Sequence, residues 1–360
     1  MRQQLFAIFY ILASGFWLLP APKTLAGKPT LKALAGKSSV LCLLFSVFGL
    51  LPSASASPLP TFNDFGRVDR ERRASGQLQT AESLGLMRVD PALILRIAEQ
   101  YSDDPQIQWG AAELLTDWTQ KQAQFETALA VSGTNTDIAL RFGFAAMNSK
   151  QPDLALDWIC YCQEQDPTNV LPWIGELWIL HQKGGAIDAY QPPATATQYH
   201  DYGVGAARAR IRLLEAAGYS PYAARRIGFV PDMSALQVMQ QLFRLKLPGS
   251  ISPLLMATAQ SMQHGKYLIT ELVGQSLEKA LLTAQTDAST NTEVTTARLE
   301  QLVARRTQMK QLVTDLGRTI VDNATEPEMV QYYDDALNFG EEEGMKRLAM
   351  TVRKRPAFVP

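Results

Sequence analysis

Apolar residues recur every three or four positions through most of the chain. No stretch alternates between apolar and polar residues with the period of two that a half-buried strand requires. The segment after Asp90 and Pro91, a good N-cap followed by a good first helical residue, is typical. Four apolar residues there fall on one helix face: Leu93, Ile94, Ile97 and Ala98. The chain is therefore predicted to be all-α.

The first part of the chain predicts a leader. Two apolar runs, Leu5–Pro20 and Val40–Leu51, precede any acidic residue, and the second run follows Lys37 and ends before the small residues of Ser53–Ser57. A basic flank, an apolar core and small residues form the pattern of a secretory signal. We predict a leader of residues 1–56 with cleavage after Ala56. The alternative is a membrane anchor formed by residues 5–51 and retained in the mature protein.

The mature chain has the composition of an ordinary folded protein. The full sequence is 46% apolar and 19% charged, which provides enough apolar material for a core. Its formal net charge is −1, and without the five basic residues of the leader 29 basic residues face 35 acidic ones, a net charge of −6. With no basic excess, nucleic acid is not expected as a partner.

A repeated pattern begins near Asp104 and is clearest in Thr136–Asn169. Gly143 and Ala155 lie where two close-packed helices need small residues, and Pro167 lies where the second helix must end. In this 34-residue frame the stretch resembles tetratricopeptide repeats. The preceding unit fits less well and the following one only in its first half, because Gly184-Gly185 and Pro192-Pro193 interrupt its second helix. The resemblance covers residues 102–184 and implies a TPR-like array of helical hairpins.

The remaining segments complete a predicted domain plan. Residues 57–90 are interpreted as a linker leading into the first helix, residues 91–200 as the TPR-like region, and residues 201–360 as a C-terminal α-helical region. Within the last region, apolar residues step by three and four from Leu299 to Ile320, which is the pattern of a helix seam. We predict that this helix folds back on residues 267–286 and forms one long hairpin, residues 267–323.

Two groups of side chains are candidates for a binding site. Three tryptophans in the repeat region are candidate residues of a peptide groove, where such repeats hold partners: Trp109, Trp173 and Trp178. Most tryptophans at helical spacing are core residues, which is the alternative for these three. Four arginines form a candidate patch for an anion or partner: Arg208, Arg212, Arg225 and Arg226. The alternative is that they pair with the acidic surface.

A second resemblance gives an alternative function. Gly85–Ala92 (GLMRVDPA) is similar to a stretch of lytic transglycosylases, which are exported cell-wall enzymes. The resemblance implies a catalytic acid at Glu71, fourteen residues before Gly85. Arginines at positions 70, 72 and 73 would favour the ionised carboxylate and weaken it as an acid. The family's later tyrosine-containing motif is absent.

The other reactive side chains predict no cofactor and no metal site. His181, His200 and His264 are isolated in the sequence, and Cys160 and Cys162 point to different sides of a helix, so neither group has a metal-ligand spacing. We therefore expect an exported, non-enzymatic scaffold or protein-binding module of the bacterial periplasm or exterior, with an unknown protein or peptide partner. The alternatives are the Glu71 enzyme and a membrane-anchored assembly subunit.

Overall fold

The computed structural model describes residues 59–75, 81–185, 187, 190–200, 202–231, 234–242, 245, 251–286, 292–317 and 323–354. In these ranges the regular structure is helical, apart from an isolated bridge between Asn169 and Gln198, so the prediction of an all-α fold is confirmed. The predicted leader and the alternative anchor lie outside the described residues. Within them, no helix combines the length and the apolar composition that a membrane crossing needs.

The helices follow one another along the chain with short connections. The first eight are α1 (Phe62–Ser75), α2 (Ala81–Leu86), α3 (Pro91–Gln100), α4 (Pro105–Leu114), α5 (Trp118–Ser132), α6 (Thr136–Asn148), α7 (Pro152–Gln165) and α8 (Val170–Gln182). The others are α9 (Gly203–Ala216), α10 (Pro221–Gly228), α11 (Ser234–Leu242), α12 (Ser252–Met262), α13 (Leu268–Thr286), α14 (Thr292–Gly317), α15 (Glu326–Phe339) and α16 (Glu341–Arg353).

Local sequence signals set several of the helix starts. The Asp90 carboxylate accepts a hydrogen bond from the Ala92 amide at 3.0 Å, as expected for an N-cap followed by proline. Asp104, Asp117 and Asn135 cap α4, α5 and α6 in the same way. Such caps satisfy backbone amides that have no partner within the helix, so residue types that can cap a helix predict helix starts from the sequence.

Helices α4 to α8 form a series of packed hairpins, which we call the hairpin array. In it, α4 packs on α5 and α6 on α7, and α5 and α7 each also contact the helix that follows. A Cβ atom at Gly143 of α6 would lie 3.4 Å from the carbonyl oxygen of Ala155 and 3.1 Å from the Ile159 side chain of α7. The small residues therefore lie where two helices of one hairpin approach closely.

The third hairpin of the array is incomplete. Helix α8 ends at Gln182, and the described part of residues 184–200 contains no second α-helix. Instead the segment returns to the start of α8, where the Val170 amide donates to the Gln198 carbonyl at 2.7 Å. The proline and glycine pairs that predicted this interruption lie in that segment.

The proposed boundary at residue 200 does not separate two folded units. Helix α9 packs against α4 so closely that a Cβ atom at Gly110 would lie 2.3 Å from the carbonyl oxygen of Ala209. One continuous cluster of buried apolar residues runs from Phe65 to Val352. The stretches 91–200 and 201–360 therefore share one core.

Within residues 57–90, interpreted from the sequence as a linker, Phe62–Ser75 form the packed helix α1. Phe65 and Val68 of α1 are 3% and 2% exposed, and the Phe65 ring contacts the Tyr222 ring of α10 edge-on. Arg226 of α10 pairs with Asp69 of α1 at 3.0 Å. Most of the described polar residues of α1 are exposed, while Asp69 and Arg72 lie on its packed side.

The long C-terminal hairpin has the predicted antiparallel arrangement over its described residues. Arg298 of α14 pairs with Glu278 of α13 at 2.9 Å, and Arg305 pairs with Glu271 at 2.8 Å. The residue number rises along one helix while it falls along the other, which defines antiparallel packing. Leu302, Met309 and Val313 of the predicted seam are buried. Residues 318–322, near its predicted end, lie outside the described residues.

Candidate functional site

The side of the hairpin array formed by α4, α6 and α8 is where a TPR-like array would bind a peptide, and we call it the groove face. In this chain, later helices cover it. Helix α9 packs on α4, α11 packs on both α6 and α8, and α12 packs on α8. The groove face is therefore filled by the chain's own helices.

Trp109 does not line an open groove. Its side chain is 1% exposed, and a Cβ atom at Gly205 of α9 would lie 2.7 Å from the indole ring. The indole Nε1 donates a hydrogen bond to Glu113 Oε1 at 3.2 Å. Trp109 is therefore a core residue covered by α9, which is the alternative given for the three tryptophans.

Trp173 and Trp178 lie at the edge of the packed core, both half-buried on α8. The indole Nε1 of Trp173 is buried without a hydrogen-bond partner among the described residues. The ring of Trp178 lies 5.6 Å from the His181 ring. The structure thus does not bring the three tryptophans together as one open aromatic wall.

The four candidate arginines are paired within the protein and do not form an open anion patch. Arg212 donates to Asp104 at 2.7 Å, and Arg225 donates to Asp334 at 2.8 Å and contacts Glu215. Arg226 pairs with Asp69 as described, and Arg208 donates to the Asn338 side chain at 2.8 Å. Their partners come from α1, α15, the loop before α4 and α9 itself. Three of the four arginines pair with acidic residues, which is the alternative that the sequence indicates for this cluster.

A buried ion cluster lies where α4, α6 and α9 meet. The Glu113 side chain is 1% exposed, and Arg141 and Arg210 are 9% and 6% exposed. Arg141 donates to both carboxylate oxygens of Glu113, at 2.6 and 2.9 Å, and Arg210 donates to Oε2 at 3.2 Å. Such a bidentate pair fixes geometry as well as charge.

The two arginines keep Glu113 ionised. Burial by itself raises the pKa of this carboxyl, but the charge and hydrogen bonds of Arg141 and the charge of Arg210 outweigh it and lower the pKa to about 2. Arg210 also donates to the carbonyl oxygens of Gly228 and Val230, and Arg141 donates to Ser234 Oγ of α11 at 3.3 Å. The cluster therefore connects the groove face to two of the segments beyond residue 200.

The sequence contained a signal for this cluster that residue-type motifs do not detect. Glu113 and Arg141 each lie in strongly apolar helical stretches, PQIQWGAAEL and TDIALRFGFAA. A charged residue among buried apolar neighbours needs a partner of opposite charge. The identity of each partner depends on how the helices pack, and the neighbouring sequence does not indicate this packing.

Glu71 has the surroundings of a surface residue. Its side chain is 53% exposed and pairs with Arg67 one turn earlier on α1 at 3.1 Å. The nearby depression between α1 and α2 encloses only about 10 Å³ and is lined by Arg72 and Arg226 among others. These surroundings differ from the enclosed, apolar pocket that raises the pKa of a catalytic carboxylic acid.

His200 has a carboxylate neighbour that its sequence spacing did not reveal. Its Nδ1 atom lies 2.5 Å from Asp166, and its Nε2 atom lies 3.0 Å from the Gln198 side chain. The thiol of Cys162 on α7 is 1% exposed, and burial raises its pKa to about 12. A thiol with that pKa is not a nucleophile near neutral pH.

Among the described residues, no group of three or more histidine, cysteine, aspartate or glutamate side chains is arranged to hold a metal ion. Comparisons of the chain with protein-family models, with curated proteins and with solved structures find no match. The residues and their geometry are therefore the basis for any functional proposal.

Proposed function

We propose that the chain is an exported, non-enzymatic protein-binding module, and that its TPR-like hairpin array binds an amphipathic helix along the groove face. One observation supports this most directly. The groove face packs against helices, among them α11, and α11 turns its apolar side toward the array. A face of this shape and chemistry is suited to an amphipathic helix.

Export is supported by the sequence of residues 1–56, with its basic, apolar and small-residue segments. Sequencing the N-terminus of the protein purified from cells tests this step. We expect the mature chain to begin at Ser57. An intact residue 1 on membrane-bound protein would instead favour the anchored assembly subunit.

Partner binding is tested by affinity capture. The mature chain is immobilised and exposed to an envelope extract at low salt, and captured proteins are identified by mass spectrometry. The expected partner is retained by the mature chain but not by the same chain after thermal unfolding. Failure to retain any protein in a series of extracts and salt concentrations would contradict the proposal.

The enzymatic alternative centres on Glu71 and has a direct test of its own. The mature chain and its Glu71→Gln variant are incubated with purified cell wall, and released fragments are measured. We expect no release by either protein, because Glu71 is exposed and paired with Arg67. Release that is lost in the variant would establish the cell-wall enzyme in place of the binding module.

A further inference from the structure

Helix α11 lies against the groove face with its apolar side toward the hairpin array. It contacts α6 and α8, which are adjacent first helices of the hairpin array. Its buried residues fall on one side of the helix, each at most 3% exposed: Ala235, Leu236, Val238, Met239 and Leu242. These are the spacings by which an amphipathic helix binds in a groove.

Each of the other two helices that cover the groove face also makes a close glycine contact, α9 with α4 on that face and α12 with α13 away from it. Helix α9 meets α4 at Gly110, where there is no room for a Cβ atom, and it carries Arg210 of the buried ion cluster. Helix α12 meets α13 at Gly274, where a Cβ atom would lie 2.6 Å from the Ala259 carbonyl oxygen. Among the described glycines, none makes such an approach to α11.

The first residue of α11 interacts with the ion cluster. Ser234 Oγ accepts a hydrogen bond from Arg141 Nη1 at 3.3 Å, while the other guanidinium nitrogens of Arg141 donate to Glu113. The buried guanidinium of Arg141 can therefore donate a hydrogen bond to the first residue of a helix bound in this groove. A carboxylate there would accept a shorter and stronger bond than a hydroxyl does.

We infer that α11 is an exchangeable occupant of the groove between α6 and α8. The partner that replaces it is an amphipathic helix that begins with an acidic residue and has apolar residues at the first, second, fourth, fifth and eighth positions after it. This inference rests on the proposed function, since it names the partner's chemistry. The acidic first residue favours the partner over α11, which begins with serine.

The probe is a fluorescent peptide of residues 232–245, added to the mature chain and followed by fluorescence anisotropy. In the Leu236→Asp chain the internal helix no longer binds well, so we expect the peptide to bind this chain at least about tenfold tighter than the unmodified chain, as removal of an intramolecular competitor implies. Gln241→Asp adds the same charge on the exposed side of α11 and is the matched control.

The chemistry of the first residue is tested by changing the peptide alone. A Ser234→Asp peptide is expected to bind the Leu236→Asp chain about tenfold tighter than a Ser234→Asn peptide, because only the first has a charge for Arg141. The two side chains have the same shape, so the comparison isolates the charge. Equal affinities would overturn the acidic preference.

Further measurements cover the case in which Leu236→Asp fails to fold, as circular dichroism would report. The alternative measurement uses the unmodified chain. Its α11 amides should exchange hydrogen at least about tenfold faster than its α9 amides, as expected for a local opening. Equal protection of the two helices overturns the inference, as does a folded Leu236→Asp chain that binds no peptide. A partner captured from extract and not displaced by the peptide would also overturn it while leaving the proposed function standing.

Discussion

Two buried carboxylates in this protein have opposite surroundings. Glu113, at the junction of α4, α6 and α9, is bonded to two arginines, and its pKa is lowered to about 2. Glu341, the first residue of α16, is 2% exposed and accepts a hydrogen bond from the Leu268 amide at the start of α13 at 3.0 Å. Burial raises its pKa to about 7, and only that amide and the nearby Tyr332 hydroxyl oppose the rise.

The difference shows that burial alone does not decide the charge of a side chain. Tyr332 and Tyr333 of α15 are electrostatic neighbours of Glu341, and Arg305 of α14 is engaged by Glu271 and Glu342. Glu341 therefore remains near its protonation midpoint at neutral pH, whereas Glu113 is fully ionised. Paired charges connect the helices at the first junction, whereas hydrogen bonds between Glu341 and the backbone of residues 266 and 268 connect them at the second.

The largest expected effect is at the first junction. Glu113→Gln should lower the free energy of unfolding at pH 7 by about 3–5 kcal/mol, because it leaves two arginines buried without their anion. Urea unfolding followed by circular dichroism measures this. Glu99→Gln, an exposed change on α3, is the control and should alter stability by less than about 0.5 kcal/mol. A small loss in Glu113→Gln would mean that the arginines find other partners.

The pH dependence of the same variant has a defined sign. Because the pKa of Glu113 is lowered in the folded protein, its contribution to stability is present above its ordinary pKa of about 4.3 and is lost as the pH falls toward 2. The stability difference between the wild type and Glu113→Gln should therefore be constant from about pH 5 to 8. A difference that grows or shrinks across that range would contradict this assignment.

The second junction should respond in the opposite direction. The pKa of Glu341 is raised in the folded protein, so its contribution is fully present below its ordinary pKa of about 4.3 and is lost as the pH rises through about 7. Glu341→Gln keeps an acceptor for Leu268 and cannot ionise. It should be more stable than the wild type at pH 8 by up to about 3 kcal/mol and equal to it near pH 4.

The control for Glu341 is Glu343→Gln, two residues later on the same helix, where the carboxylate pairs with Arg347 and is 41% exposed. Its stability profile should run parallel to that of the wild type from about pH 5 to 8. If Glu341→Gln also followed the wild type over this range, Glu341 would be ionised in the folded protein by a cation that compensates its burial.

Packing at the two junctions gives a smaller contrast. Gly110→Ala would place a methyl group 2.3 Å from the Ala209 carbonyl oxygen, whereas Gly344→Ala in α16 would place one 3.0 Å from the Ala336 nitrogen. We expect losses of about 2–3 kcal/mol at the first site and about 1 kcal/mol at the second. Gly85→Ala in α2, which meets no atom within 4 Å, is the control and should be neutral or stabilising in thermal unfolding.

The smallest effect is expected for a pair with no burial. Lys183 and Asp153 lie 2.6 Å apart, but Asp153 is 90% exposed. Asp153→Asn should change the free energy of unfolding by less than about 0.5 kcal/mol, since water and salt screen such a pair. A loss comparable to that of Glu113→Gln would break the rule that burial, and not distance, separates these ion pairs.

The sequence predicted the helices better than it predicted their environment. The helix predicted after Asp90 corresponds to α3, and the helix predicted over residues 267–286 corresponds to α13. No helix was predicted at α10, and α1 lies within the stretch interpreted as a linker. Pro221–Gly228 is only eight residues long, about two helical turns, and α1 is polar enough to resemble a linker. Both helices are stabilised by contact with each other through Phe65, Asp69, Tyr222 and Arg226.

The candidate site was less predictable than the fold. Trp109 was proposed for an open groove because its position on the first helix of a hairpin is correct for one. The groove is filled by residues more than ninety positions away, including Gly205 and Ala209 of α9. No local pattern predicts that a later helix will pack on this face, since its packing depends on the length and direction of the connections between the helices.

What the sequence by itself determined is the all-α class, the helix start at Asp90, the hairpin with small residues at Gly143 and Ala155, and the antiparallel pairing of α13 with α14. These follow from periodicity, caps and neighbours close in the chain, so their physical causes are local. Only the tertiary structure decided that the groove face is covered, that four candidate arginines are engaged, and that Glu113 is ionised while Glu341 is near its midpoint. Burial and charge pairing depend on residues brought together from distant parts of the chain, and the free energy of a buried charge is set by those neighbours.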